Sequence, residues 1–252
     1  MAINKGNIVC VFGVKGGIGK SILTLNLAGI VSNLKKRVLI VDMDLYGGSI
    51  SIILNKNVNK TVYNLVDDFN NNRYDNFNDY ITKYNDYIDY LACPKDPRKA
   101  NKIDSSYIEI LLDKAKFNYD LILIDTTHIL DEMNLTVLDK SDNILLVVSN
   151  DMLDIKNMRS LISIFKDLDI RKYKVILNNS FRNDKSYFNL YDIKSIINSN
   201  RDYEISNKFY IKNIDKYILD GNIVTIDKKY SNSPHIKVFE TIIKDIIGDN
   251  NE

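Results

Sequence analysis

The chain has 252 residues, 45% of them hydrophobic, and 34 lysines and arginines against 33 aspartates and glutamates give a formal net charge of +1. That length can bury a sizeable core, and the near-neutral balance exerts no overall pull toward nucleic acid or anionic lipid. Cys10 and Cys93, neither in a CxxC pair, argue against a disulfide framework, a zinc site or an iron–sulfur cluster.

Short apolar runs alternate with stretches of helical spacing. Strands are predicted at Ile8–Phe12, Val38–Val41, Ile88–Ala92, Leu121–Ile124, Ile144–Val148 and Lys174–Leu177, and helices at Ile22–Leu34, Ser105–Lys116, Asp154–Leu168 and Pro234–Ile247. Most of the strand runs are continuously apolar, as strands covered on both faces are. The expected fold is therefore α/β: a doubly wound, mainly parallel sheet with helices on both faces. With no internal repeat and no Pro/Ser/Gly-rich linker, residues 1–252 read as a single domain. The apolar run at residues 8–12 is too short for a signal peptide, and no window approaches the ~18 apolar residues of a membrane span, so a cytoplasmic setting is expected. One segment differs: from Tyr63 to Tyr90 six tyrosines lie among Asn and Asp. A solvated insertion with tyrosines packed on the domain is the expectation, and a partner-docking surface the alternative.

Eight of the ten glycines fall within the first 48 residues, where backbone must turn sharply or approach something closely. Residues 14–21 read Val-Lys-Gly-Gly-Ile-Gly-Lys-Ser, between a predicted strand and a predicted helix. Gly16, Gly17 and Gly19 let successive backbone N–H groups turn inward around phosphate oxygens, and the following helix N-terminus adds to the anion site. Lys20 then places an ammonium on the outer phosphates, and Ser21 offers a hydroxyl to Mg²⁺. Position 14, where the general GxxxxGK[ST] pattern has glycine, is Val14, and a second lysine, Lys15, precedes the double glycine.

That arrangement resembles the deviant Walker A motif of the MinD/ParA family of ATPases. The resemblance implies that Gly16, Gly17, Ile18, Gly19, Lys20, Ser21 and Ile22 hold Mg-ATP. It also implies that Lys15 reaches the phosphates of a neighbouring subunit in an ATP-bound homodimer, as an arginine finger does. Three more stations fit. Val41-Asp42-Met43-Asp44-Leu45-Tyr46-Gly47-Gly48 ends the second strand in Asp-x-Asp, at the sheet edge where such folds bind ligands. By resemblance Asp44 orients the attacking water and Asp42 supports Mg²⁺. Leu121-Ile122-Leu123-Ile124-Asp125 is the Walker B pattern, with Asp125 holding the metal's water shell; Thr127 stands where the family usually has Pro. Asn178, with Asn179 as alternative, matches the residue that recognises adenine.

Within the family the stretch 42–48 and the segment Leu91-Ala-Cys-Pro-Lys-Asp-Pro97 resemble the CpaE/TadZ pilus-assembly branch. The expectation is a working ATPase: an ATP-dependent dimerising switch that positions pilus or secretion machinery, recruited to a pole or the inner membrane face by partners. A ParA-like partitioning ATPase that binds nonspecific DNA, and a non-catalytic nucleotide-gated scaffold, stay open. Arg171, Lys172, Lys174, Arg182 and Lys185 are candidate DNA contacts, balanced by many acids. Ile236, Phe239, Ile242, Ile243 and Ile246 share one face of the last helix; its acidic tail favours packing on the sheet over membrane binding. His128, close behind Asp125, reads as a loop histidine without a role, and His235 as solvated.

Overall fold

In the computed structural model, whose described residues are 5–180, 188–200, 202–209, 214–230 and 233–248, the first apolar run forms β1 (Asn7–Phe12). It leads through the glycine-rich segment into α1 (Lys20–Asn33) and back to β2 (Val38–Asp42). The chain continues through α2 (Ile50–Ile53), α3 (Val62–Asn70), β3 (Thr82–Lys83), β4 (Ile88–Leu91), α4 (Ser106–Ala115), β5 (Leu121–Asp125), α5 (Glu132–Lys140) and β6 (Asn143–Ser149). It closes with α6 (Met152–Asp167), β7 (Tyr173–Asn178), α7 (Leu190–Ile197), β8 (Tyr203–Ile205), α8 (Ile214–Leu219) and α9 (Lys237–Ile247). Among the described residues the strands form one eight-stranded sheet in the order β3-β4-β2-β5-β1-β6-β7-β8, parallel except for the β3–β4 pair.

The unbroken apolar runs have a direct cause. Ile8, Cys10 and Phe12 of β1 face one hydrophobic cluster, with Ile108, Leu112, Ile155 and Met158 from α4 and α6. Val9 and Val11 face another, with Leu23, Leu27, Phe239 and Ile243 from α1 and α9. Each strand residue is therefore buried whichever way it points, and no period of two appears in the sequence. α1 is buried almost all round, because α9 and the turn at Val224–Ile226 cover its outer side. Its polar residues are accommodated there: the Asn26 side-chain oxygen accepts from the Thr225 N–H at 3.2 Å, and the Asn33 amide donates to the Thr225 carbonyl at 2.8 Å.

The doubly wound parallel sheet expected from the alternation is what forms. Three local expectations change. The last helix starts at Lys237 rather than Pro234, and the residues before it make a turn. β3 and β8, with two and three residues, are too short and too polar to register as apolar runs. The Tyr63–Tyr90 stretch exposes many of its Asn and Asp and packs its tyrosines on the domain, as expected, but it is more deeply integrated than an insertion. It supplies α3 and the edge of the sheet; Tyr80 and Tyr90 are fully buried, and Phe69 stacks on Tyr74 with ring centroids 4.1 Å apart.

Phe239 on α9 is fully buried against Phe209, with ring centroids 4.7 Å apart. Phe239→Ala is expected to destabilise the chain by about 3–5 kcal/mol, read as a lowered Tm. An unchanged Tm would mean that α9 does not dock on the sheet in solution.

Candidate functional site

The glycine-rich segment wraps the C-terminal end of β1 at the centre of the sheet. Gly17 (φ 74°) and Gly19 (φ 88°) hold left-handed backbone conformations that L side chains rarely adopt. Gly19 is the residue from which α1 starts, so the loop delivers its N–H groups to a helix N-terminus. Ile18, between them, is buried in the α1-side core and pins the loop from below. Asn178, at the end of β7, pins it from the side: its amide donates to the Ile18 carbonyl at 2.8 Å, and its oxygen accepts from the N–H and hydroxyl of Ser180. The residue expected to meet adenine is thus 4% exposed and already engaged within the protein, bracing the loop. Asn179, the alternative, donates to Glu204 at 2.9 Å.

Lys20 is 8% exposed, and its ammonium reaches back across the loop to the Lys15 carbonyl at 3.4 Å. Burial pulls its pKa down, and the carboxylates of Asp125, Asp44 and Asp154 oppose that shift. Two of the predicted acids stand opposite. Asp42 and Asp125 are partners in register at the ends of β2 and β5, both fully buried. Asp42 accepts from the backbone N–H of Asp44 at 3.2 Å and of Ile50 at 3.3 Å. Asp125 Oδ1 takes a long bond of 3.5 Å from the Thr24 hydroxyl, and its Oδ2 has no hydrogen-bond partner. Burial is the main reason that both carboxyls sit above the ordinary range, Asp125 at about 7, and neighbouring carboxylates push in the same direction. Asp44 is half-buried and caps its own turn by accepting from the Gly47 N–H at 3.2 Å. Ser21, the predicted metal hydroxyl, accepts from the Ser49 hydroxyl at 2.8 Å.

This donor set fits a divalent cation. A buried, unpartnered carboxylate oxygen beside a second buried carboxylate is an arrangement a positive charge relieves, and Mg²⁺ commonly takes only one or two carboxylates, filling its shell with waters and phosphate oxygens. That sparse demand agrees with the described residues, among which no three His, Cys, Asp or Glu groups cluster as a metal cage.

Sequence reasoning missed several participants. Asp151, at the N-cap of α6, holds the Lys15 ammonium at 3.0 Å, and its carboxyl is lowered by the Asp154 N–H it accepts from and then by Lys15. Its only sequence signal is the Asp-x-x-Asp spacing of a helix start. Cys93 lies against the turn after Asp44: a Cβ on Gly48 would fall 1.8 Å from its sulfur and 2.9 Å from Asp42 Oδ2. Both cysteines are buried and free. Thr127, in the place of the family's usual Pro, accepts from the Asn134 amide at 2.7 Å and the Ile129 N–H at 3.3 Å, so hydrogen bonds shape the loop where a proline ring otherwise would. Of the candidate DNA contacts, Arg171 pairs with Asp169 at 2.7 Å, Lys172 donates to the Asp139 carbonyl at 2.6 Å, and Lys174 lies 3.9 Å from Asp202. Arg182 and Lys185 lie outside the described residues. Among the described residues no helix is long and apolar enough to cross a membrane.

Two outcomes follow from this geometry. A carboxyl whose folded pKa exceeds its unfolded value is most compatible with folding at low pH. The folded state then loses stability as pH rises from about 3.9 through about 7. Asp125→Asn is expected to raise the Tm of the nucleotide-free chain at pH 8, on the order of 2–4 °C for each kcal/mol relieved, with a gain that fades toward pH 4. A lower Tm at pH 8 would refute the buried-charge strain. Gly48→Ala should destabilise by roughly 1–3 kcal/mol, mainly through the clash with the Cys93 sulfur, and Cys93→Ala in the same chain should restore part of it, the approach to Asp42 Oδ2 remaining. A Gly48→Ala chain as stable as the parent would refute that contact.

Comparison with known proteins places the chain in a family and relates its fold to solved structures. Residues 6–183 match the AAA_31 family, an AAA domain. A putative septum site-determining protein MinD from Emiliania huxleyi is 25% identical over 171 residues, 68% of this chain; the chain spans 62% of that relative's length. Among solved structures, a ParA family ATPase from Chlorobium tepidum TLS aligns with a TM-score of 0.82 at 20% identity over 95% of this chain and 98% of its own. The septum site-determining protein MinD of Pyrococcus horikoshii OT3, complexed with Mg-ADP, aligns with a TM-score of 0.78 at 20% identity over 96% of each chain. The chain belongs to the AAA_31 family of AAA domains.

Proposed function

We propose that this chain is a Mg-ATP-dependent molecular switch: ATP binding closes a homodimer, hydrolysis reopens it, and the cycle positions a cellular assembly. The observation that carries the reading is the buried Lys20 ammonium acted on by the Asp125 carboxylate at the mouth of the glycine-rich loop, with Asp125 Oδ2 unpartnered and Asp42 beside Asp125 in register. A triphosphate in that mouth gives the ammonium its anion. Ser21, Asp42 and Asp125 would hold Mg²⁺, which when bound neutralises charge on the outer phosphate oxygens.

The chain's own residues then divide the work. The N–H groups from Gly16 to Ser21 cradle phosphate, with Ile22 in the first turn of α1. Lys20 stabilises the charge that develops as the terminal phosphoryl group departs. Asp44, on a turn capped by its own carboxylate, accepts a hydrogen bond from the attacking water and aligns it. Lys15 supports the dimer reading. Its ammonium lies outside its own loop, half-exposed on Asp151, from which an exchange to a partner's phosphates needs only one surface ion pair to break. Exposed apolar residues nearby, Ile129 and Leu130 on the loop after β5 and Met152 and Leu153 at the start of α6, are surface that a second copy would cover.

For the cargo, pilus or secretion machinery is the preferred assembly, on the resemblance of residues 42–48 and 91–97. The contact of Cys93 with Gly48 supports reading these two segments as one unit, since it joins the second to the turn after Asp44. Nonspecific DNA is less favoured, because Arg171, Lys172 and Lys174 each already have a protein partner. A gel shift that showed strong ATP-dependent retardation would reverse that preference.

Lys20→Ala is expected to weaken ATP binding by about 10- to 100-fold. Lys15→Ala should leave ATP affinity within about threefold yet lower hydrolysis by on the order of 10³-fold, as loss of a charge supplied across an interface does. Unchanged hydrolysis in Lys15→Ala would refute the trans-lysine role, and unchanged binding in Lys20→Ala would refute the nucleotide site.

A further inference from the structure

His128 is one of two histidines in the chain and lies three residues beyond Asp125. The structure gives it a position that its sequence context does not reveal. The loop leaving β5 is fastened on both sides: Thr126 donates its hydroxyl to the Val11 carbonyl at 2.7 Å, and Thr127 is held by Asn134. The next side chain is thereby turned over the phosphate loop. The imidazole lies across Gly16, with Nδ1 and Cε1 both 3.6 Å from the point where a Gly16 Cβ would stand. It is exposed and makes no hydrogen bond or ion pair with the described residues. An unpartnered ring over the one part of the loop that is itself open to solvent is a donor without an acceptor.

The sheet order indicates which part of a ligand it would meet. β5 and β2, which carry Asp125 and Asp42, lie on one side of β1, and β6 and β7 lie on the other. Asp42 and Asp125, which would hold a divalent cation that neutralises the outer phosphates, lie on the β5 side of the loop, so that side is where the terminal phosphate belongs. His128 comes from that side. Resting on the nucleotide reading above, we propose that His128 is a specificity-determining contact for the terminal phosphate: an imidazole N–H donates to a terminal phosphate oxygen over Gly16, so the site distinguishes a triphosphate from a diphosphate. An N–H aimed at an anionic oxygen is among the stronger hydrogen bonds, and this one has nothing to bind once the terminal phosphate has left. The contact also ties the Thr126–Leu130 loop, with the exposed Ile129 and Leu130, to the presence of that phosphate.

The test is calorimetric titration of the full chain and of His128→Ala and His128→Gln with ATPγS and with ADP, each with Mg²⁺, at concentrations where the chain is a monomer. His128→Ala should weaken ATPγS by about tenfold and leave ADP within about twofold, and His128→Gln, which keeps an N–H donor, should recover most of the loss. A His128→Ala chain that binds ATPγS as tightly as the parent, or that loses ATPγS and ADP equally, overturns the terminal-phosphate contact while the nucleotide site stands. A parent chain that binds neither nucleotide overturns the nucleotide reading and this proposal with it.

Discussion

Two carboxylates and one ammonium, all buried at the C-terminal edge of a parallel sheet, are the constraint around which this molecule is built. The β2–β5 register sets Asp42 directly beside Asp125, and the start of α1 brings Lys20 within electrostatic reach of Asp125. Burying like charges side by side opposes folding, and both carboxyls register it as raised pKa values. Such a cluster persists only where the rest of the structure holds it, and here the two hydrophobic clusters on either face of the sheet do so. A cation bound beside these carboxylates would offset that strain. Binding free energy and folding free energy are therefore coupled at this edge.

The surrounding loops carry this charge arrangement outward. Asp42 does not only face the site; it accepts the N–H groups of Asp44 and Ile50 and so organises the turn that ends in Gly48. Cys93 fills the space a side chain at 48 would need, which links the loop after β4 to the same turn. On the other flank, Asn178 couples β7 to the phosphate loop through Ile18. Lys15 couples the loop to α6 through Asp151. A change of charge at the loop's mouth is thus felt by three neighbouring segments, each through one or two identifiable bonds.

Much of this was legible in the sequence, for a physical reason. A parallel sheet covered on both faces needs continuous apolar strands, so Leu121–Ile124 and Ile144–Val148 stand out, and a phosphate cradle needs glycines at fixed offsets from Lys20. Contacts between distant segments have no such local signature. Asp151 reads only as a helix cap, Cys93 only as a buried thiol, and His128 only as a loop residue, because what matters in each case is the partner across the sheet edge. Asn178 shows the reverse. Its position at the end of β7 is readable, but its amide faces Ile18 and Ser180 rather than open space. The tyrosine-rich stretch misleads in part through composition: Asn and Asp on its exposed turns mask Tyr80, which is a core residue.

The central claim is that nucleotide chemistry at this sheet edge controls association of two copies. Lys15 is held by a surface ion pair with Asp151, and on the proposed reading that pair gives way to a partner's phosphates while a second copy covers the exposed Ile129, Leu130, Met152 and Leu153. The most direct measurement is the molar mass of the full chain by light scattering, with Mg²⁺ and either ATPγS or ADP. The account predicts a dimer with ATPγS and a monomer with ADP. The same mass with both nucleotides, at concentrations that saturate the site, would contradict it.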